Sequence, residues 1–84
     1  MKIQVTLMDI NEGFRVNSRQ CPVARAITRA TGQNANVGVG MMYLGTNEEY
    51  KKYLLPACVD KWTNRFDQNG TGSPFEFELD LDHA

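Results

Sequence analysis

The sequence predicts an α+β fold in which one four-stranded antiparallel sheet carries two helices on one face. Three observations lead to this prediction. Residues 22–31 place apolar side chains at helical spacing, residues 2–7 and 75–82 alternate apolar with polar side chains, and turn-forming residues separate the segments between them. The predicted elements follow the order β-α-β-β-α-β, which is the ferredoxin-like arrangement.

Length and composition set the class of protein. The chain has 84 residues, of which 42% are hydrophobic and 23% charged, values typical of one compact domain. Its apolar runs are too short to cross a membrane, and its N-terminus begins as a strand, so we expect a cytoplasmic protein. The two cysteines form no metal-binding motif, which predicts reduced thiols, no metal and no other cofactor.

The first strand and the segment after it have different patterns. Ile3, Val5 and Leu7 alternate with polar residues and are expected on the buried side of the strand. Residues 9–20 show no sustained period and predict a long loop, with one helical turn at 9–12.

The clearest helix signal lies at residues 22–31. Pro22 suits the first helical position, and Gly32 supplies the left-handed residue that ends the last turn. One side of this helix is apolar at the spacing i, i+3, i+4 and i+7. That side consists of Val23, Ala26, Ile27 and Ala30.

Residues 36–44 are predicted to form the second strand. Its alternate positions are apolar, whereas Gly38 and Gly40 leave the other side bare. The apolar set is Val37, Val39, Met41 and Tyr43. Residues 50–55 are predicted to form a third strand in a hairpin with the second, and a helix that begins at Glu48 is the alternative.

The last two elements are a helix and a strand. The helix is predicted to begin at Pro56 and to end in the turn-forming stretch 69–74. Its apolar stripe consists of Leu55, Cys58, Val59, Trp62 and Phe66, with Cys58 as a core residue. The final strand is predicted to bury Phe75, Phe77, Leu79 and Leu81 and to expose Glu76, Glu78, Asp80 and Asp82.

Four arginines form the one basic cluster that no acidic residue interrupts: Arg15, Arg19, Arg25 and Arg29. With the N-terminal amides of the first helix they could bind an anion, either a nucleotide phosphate or the carboxylates of a protein. The alternative is a solvated helix face beside a polar loop.

The formal net charge of −1 is unevenly distributed along the chain. Residues 1–46 carry five basic and two acidic side chains, a balance of +3, and residues 47–84 carry four basic and eight acidic ones, a balance of −4. The overall negative charge, and the lack of paired aromatic residues on central strands, make nucleic acid an unexpected partner. The carboxylates Glu76, Glu78, Asp80 and Asp82 could instead face a basic partner, or keep an edge strand soluble.

Cys21 is the one candidate nucleophile. Backbone amides at a helix start and the nearby Arg19 favour a thiolate. Nucleophilic catalysis also needs a base, and the only histidine is His83, near the end of the sequence. A small capping or packing residue is the alternative role, and we expect no enzyme.

Several motifs occur together along the chain. They are residues 9–15 (Asp-Ile-Asn-Glu-Gly-Phe-Arg), Cys-Pro-Val-Ala at 21–24 followed by Ala26 and Ile27, Arg65-Phe66-Asp67, and Pro74-Phe75-Glu76-Phe77. In these motifs the chain resembles a family of short proteins encoded by bacteriophages and prophages. The resemblance implies a phage accessory protein in the bacterial cytoplasm, and it implies no catalytic or ligand residues.

We therefore expect a noncatalytic binding protein that docks on a host protein, such as a component of a defence system, and inhibits it. The alternative is a small-molecule binder that sequesters a nucleotide signal through Arg19, Arg25 and Arg29. Met41, Met42 and Tyr43 could also contribute an apolar contact between two copies of the chain.

Overall fold

The structure is a computed structural model that describes residues 1–15, 17–45 and 49–81. Its elements, in chain order, are β1 (Lys2–Val5), α1 (Leu7–Glu12), α2 (Pro22–Thr31), β2 (Asn34–Val37), β3 (Met41–Gly45), β4 (Tyr50–Leu54), α3 (Ala57–Asn69) and β5 (Phe75–Glu78). The strands form two antiparallel sheets, one of β1 and β5 and one in the order β2-β3-β4.

The α+β class is confirmed, but the predicted ferredoxin-like arrangement is wrong. The described part of the chain contains three helices, and its strands divide between a two-stranded and a three-stranded sheet instead of forming one sheet of four. The two differences in element order are α1, in the segment predicted to be a loop, and the division of the predicted strand 36–44 into β2 and β3.

The predicted strand 36–44 is divided by a tight turn. Gly40 has a φ of 74°, a left-handed conformation that glycine adopts without strain. The Gly38 amide donates to the Met41 carbonyl at 2.8 Å, so the chain reverses over Val39 and Gly40. As a result Met42 and Leu44 are buried, and not Met41 and Tyr43 as the unbroken strand predicted.

The third predicted strand is confirmed as β4, which begins at Tyr50 and pairs with β3. The alternative, a helix that begins at Glu48, falls on a residue outside the described ranges.

A capping box starts α1. The Asp9 amide donates to Thr6 Oγ1 at 3.3 Å, and the Thr6 amide donates to Asp9 Oδ2 at 2.9 Å. The strand therefore ends at Val5, and Leu7, predicted on its buried side, is exposed in the first turn of the helix. The helical turn predicted at 9–12 lies within α1.

α2 matches its prediction closely. Pro22 is its first residue, the Ala24 amide donates to Cys21 Sγ at 3.4 Å, and Gly32 ends it with a φ of 73°. Of the predicted buried positions Ala30 is exposed, and the confirmed ones are Val23, Ala26 and Ile27. The helix packs against β1, β2 and α1, and it therefore joins the two sheets.

α3 packs on β5 through aromatic rings. Trp62 stacks on Phe66 with ring centroids 5.4 Å apart and on Phe75 at 4.9 Å. Val59 and Phe66 are buried as predicted, but Cys58 is exposed, so its assignment to the core is wrong. The physical reason is the helical rotation of about 100° per residue, which turns Cys58 away from the side that its neighbour Val59 buries.

The alternation of the last strand is confirmed, although β5 ends earlier than predicted. Phe77 and Leu79 are buried, while Phe75 and Leu81 are partly buried against the core. β5 itself ends at Glu78.

An ion pair between the buried Asp9 and the partly exposed Arg29 connects α1 with α2. Asp9 is fully buried, and Arg29 donates to both of its carboxylate oxygens, from Nη1 to Oδ1 at 2.5 Å and from Nη2 to Oδ2 at 3.0 Å. Arg29 Nη2 also donates to the Gln4 carbonyl of β1 at 2.9 Å. A single guanidinium thus fixes α2 to both α1 and β1.

We expect Asp9→Asn to lower the free energy of unfolding at pH 7 by about 2 to 3 kcal/mol, because Arg29 and the Thr6 amide lose a charged acceptor. The loss should be smaller than for a fully buried pair, since the Arg29 side chain is 51% exposed. Urea unfolding followed by circular dichroism measures it.

The effect should depend on pH. Burial alone would raise the pKa of Asp9, but hydrogen bonds from Arg29 and Thr6 outweigh it and hold the pKa below the ordinary value of 3.8. The stabilisation by the ionised carboxylate is therefore fully present above the unfolded-state pKa and is lost as the pH falls through the folded-state pKa. The difference between wild type and Asp9→Asn should shrink below about pH 4.

Glu12→Gln is the matched control, because it removes an ion pair whose Glu12 side chain is 57% exposed. Its expected loss is under about 1 kcal/mol. An equal loss in the two variants would contradict a special role for the buried pair.

Candidate functional site

Three of the four predicted arginines line one cleft. Arg19, Arg25 and Arg29 lie around an open cavity of about 540 Å³ between α1, α2, β2 and the start of β4. We call it the arginine cleft. Asp9, Asn34, Asn36 and Tyr50 also line it. Arg15 is not among the residues that line this cleft.

The arginines of the cleft differ in how far their charges are already neutralised. Arg29 is bound to Asp9, and this contact raises the pKa of Arg29. Arg25 donates from Nη2 to Glu12 at 2.7 Å, and its buried Nε finds no acceptor in the described part of the chain. The main-chain amide of Arg19 donates to Asn17 Oδ1 at 3.1 Å. The Arg19 side chain makes no hydrogen bond within the described residues.

The N-terminal amides of α2, predicted to contribute to an anion site, lie apart from the cleft. Cys21, Pro22, Val23 and Ala24 are buried, and none of them lines the cavity. The cleft is instead formed by the side of the helix, where Arg25 and Arg29 are one turn apart.

Sequence reasoning missed the polar and aromatic residues opposite the arginines. Asn34 and Asn36 alternate with buried residues along β2, a pattern that could have indicated a strand with one polar side. Tyr50 enters the cleft because the strand register places Asn34, Gly45 and Tyr50 in one row across the sheet. A Cβ at Gly45 would clash with the main chain of Glu49, so glycine at this position allows the segment directly before Tyr50 to approach β3 closely.

Arg15 has a structural position at the end of α3. Its Nε and Nη2 donate to the Asp67 carbonyl at 3.0 and 2.7 Å, and Nη2 also donates to the Gln68 carbonyl at 2.7 Å. The last carbonyls of a helix have no partner within the helix, and the helix dipole places negative charge there. Arg15 therefore caps α3.

Two carboxylates of the predicted acidic row lie beside cations of this chain. Glu76 Oε2 lies 3.7 Å from Lys2 Nζ, and Glu78 Oε2 lies 3.5 Å from the amino nitrogen of Met1. Asp80 is exposed beyond the end of β5, and Asp82 lies outside the described residues. Cations of the β1 segment thus oppose two of the four predicted carboxylates.

The three-stranded sheet has one face on the core and one face open. Ala35, Val37, Met42 and Leu44 are buried. Residues directly opposite one another in neighbouring strands share a face. The strand register therefore assigns to the other face, here called the outer sheet face, Asn34, Asn36, Met41, Tyr43, Tyr50, Lys52 and Leu54.

Cys21 is placed for packing rather than for reaction. It is buried at the start of α2, and burial raises the pKa of its thiol above the ordinary value of 9.0. The hydrogen bonds from the amides of the first helical turn act in the opposite direction but do not outweigh burial. Both cysteines are free thiols, and Cys58 is the exposed one.

Within the described residues, no group of three or more histidine, cysteine, aspartate or glutamate side chains is arranged to hold a metal ion. A search of the same residues for a helix long and apolar enough to cross a membrane finds none. Comparisons with protein-family models, with curated proteins and with solved structures find no match to this chain. The likeness to phage proteins stays a prediction.

Arg15→Gln should lower the free energy of unfolding by about 1 to 2 kcal/mol, because the carbonyls at the end of α3 lose a charged donor. Arg19→Gln is the matched control, with an expected change within about 0.5 kcal/mol, since its side chain has no partner in the described structure. Thermal or urea unfolding measures both variants. A larger loss in Arg19→Gln than in Arg15→Gln would refute the capping role.

Alkylation should distinguish the two cysteines. Iodoacetamide near pH 7.5 should label Cys58 first, because it is exposed, while Cys21 is buried and its pKa is raised. Mass spectrometry of peptides from the folded protein gives the two rates, and the denatured protein provides the reference. Faster labelling of Cys21 would instead support a reactive thiol.

Proposed function

We propose that this protein acts by noncatalytic binding to a protein of the bacterial host, that it inhibits this protein, and that it docks through the outer sheet face. The chemical character of that face supports the proposal. A component of a bacterial defence system is the class of target that we propose, and the resemblance to phage proteins motivates this choice.

The outer sheet face exposes large aromatic and apolar side chains beside its polar ones. Tyr43 is 40% exposed, Tyr50 45% and Leu54 76%, and Met41 lies beside Leu54 in the strand register. An antiparallel sheet that covers a core on one side commonly presents alternating polar residues on the other. Tyrosine and methionine are enriched in protein interfaces, where they supply large contact areas.

The position of charge on this face indicates what a partner must offer. Lys52 lies directly opposite Tyr43 and is exposed. A partner surface that carries a carboxylate near an apolar patch would match this arrangement, because complementary charge sets the register of an interface. The tyrosines and Leu54 would supply most of the binding energy.

The position of Cys21 supports binding over catalysis. The thiol is buried and its pKa is raised, so a smaller fraction of it is ionised near neutral pH than of an ordinary cysteine thiol. The one histidine of the sequence, His83, lies outside the described residues.

Tyr43→Lys should remove binding of the host protein and leave the fold intact, because the change lies on an exposed face. Tagged wild-type protein is used to capture partners from host lysate at two salt concentrations, and mass spectrometry identifies them. We expect the affinity of the identified partner for Tyr43→Lys to fall by at least about tenfold in a direct titration.

Phe14→Lys is the matched control, because Phe14 is also a large exposed apolar residue but lies after α1, away from the outer sheet face. It should retain the affinity of the wild type. Loss of binding in Phe14→Lys with retention in Tyr43→Lys would refute the proposed face. Dimerisation that Tyr43→Lys abolishes, without any captured host protein, would assign the face to a second copy of this chain.

A further inference from the structure

Arg19 and Arg25 bring positive charge to the arginine cleft that is less neutralised than the charge of Arg29. Arg29 is committed to Asp9 and to the Gln4 carbonyl. The Arg19 side chain makes no hydrogen bond or ion pair in the described part of the chain, whereas Arg25 contacts one exposed carboxylate, that of Glu12. An exposed pair of this kind is weak and yields readily to a competing anion.

The Asp9–Arg29 ion pair holds one side of the cleft in a fixed position. Asp9 and Arg29 are held by six hydrogen bonds that also involve Thr6 and Gln4, so the side of α2 that carries Arg25 is fixed relative to α1 and β1. A ligand at Arg25 would therefore meet a site that does not have to order itself first, and such preorganisation favours binding.

The opposite side of the cleft has a different chemistry. Asn34 and Asn36 provide neutral amides, and Tyr50 provides an aromatic ring. The volume of about 540 Å³ lies within the range of small-molecule sites and exceeds what a bare phosphate ion needs. A ligand that uses both sides has an anionic group at one end and a polar ring at the other.

We infer that the arginine cleft binds a nucleoside monophosphate, with the phosphate at Arg19 and Arg25 and the base toward Tyr50 and the two asparagines. Guanidinium groups bind phosphate through paired charge-assisted hydrogen bonds. Amide side chains can hydrogen-bond the edge of a base, and an aromatic ring can stack on it. Inorganic phosphate would use only the arginine side.

Adenosine 5′-monophosphate is the probe. It is titrated into the isotope-labelled protein in about 50 mM salt, a concentration that limits screening, and amide chemical shifts report its binding. We expect saturable shifts at residues 19–36, and the double variant R19Q/R25Q should weaken binding at least about tenfold, because two charged donors are lost. Arg65→Gln, an exposed arginine of α3, is the control and should bind like wild type.

Glu12→Gln separates ligand binding from a structural effect. It breaks the same ion pair as Arg25→Gln but leaves the guanidinium free. A purely structural role of the pair predicts that both variants weaken the nucleotide affinity. Our proposal predicts opposite signs: tighter binding in Glu12→Gln by about two- to fivefold, since a competing carboxylate is removed, and weaker binding in Arg25→Gln.

Three results would overturn the proposal: no saturable shift up to about 5 mM nucleotide, adenosine or inorganic phosphate binding as tightly as the nucleotide, or an equal loss in Arg65→Gln. These variants leave Tyr43 and Leu54 in place, so binding of the nucleotide and of a host protein can fail independently.

Discussion

The architecture depends on the buried carboxylate of Asp9, which accepts hydrogen bonds from Thr6 at the start of its own helix and from Arg29 of α2. Asp9 caps its own helix through Thr6 and receives two hydrogen bonds from Arg29, which also reaches the carbonyl of Gln4. Burial of an unpaired charge would cost several kcal/mol, so the position of α1 is tolerable only with Arg29 in place. Because α2 packs on both sheets, this local requirement also fixes how the two sheets are placed around the helix.

Two of the four arginines predicted to bind a ligand have structural partners instead. Arg29 is neutralised by Asp9, and Arg15 is used at the end of α3, in a contact that spans 52 residues of sequence. Nothing in the local pattern around Arg15 predicts that contact. The grouping of Arg25 with Arg29 could be predicted, because they are one turn apart on a helix whose limits the sequence marks clearly.

The fold was predictable where one element carries its own signal. The caps of α2 and the alternation of β5 depend on nearby residues, and both are confirmed. The prediction of one strand at residues 36–44 was wrong, because strict alternation is compatible with one strand and also with a hairpin around a two-residue turn. The left-handed conformation of Gly40 decides between them, and the assignment of strands to two sheets depends on pairings distant in sequence.

The two proposed binding regions overlap on the three-stranded sheet, where Asn34, Asn36 and Tyr50 belong to both. Asn34, Gly45 and Tyr50 are opposite one another, and Tyr50 belongs both to the outer sheet face and to the lining of the arginine cleft. A ligand in the cleft that fixes the tyrosine ring changes the surface that a protein partner meets. Linkage requires the effect to be mutual, so a partner on the sheet would change the affinity for the ligand by the same factor. Glycine at position 45 allows this arrangement, because a Cβ there would clash with the main chain of Glu49, directly before Tyr50.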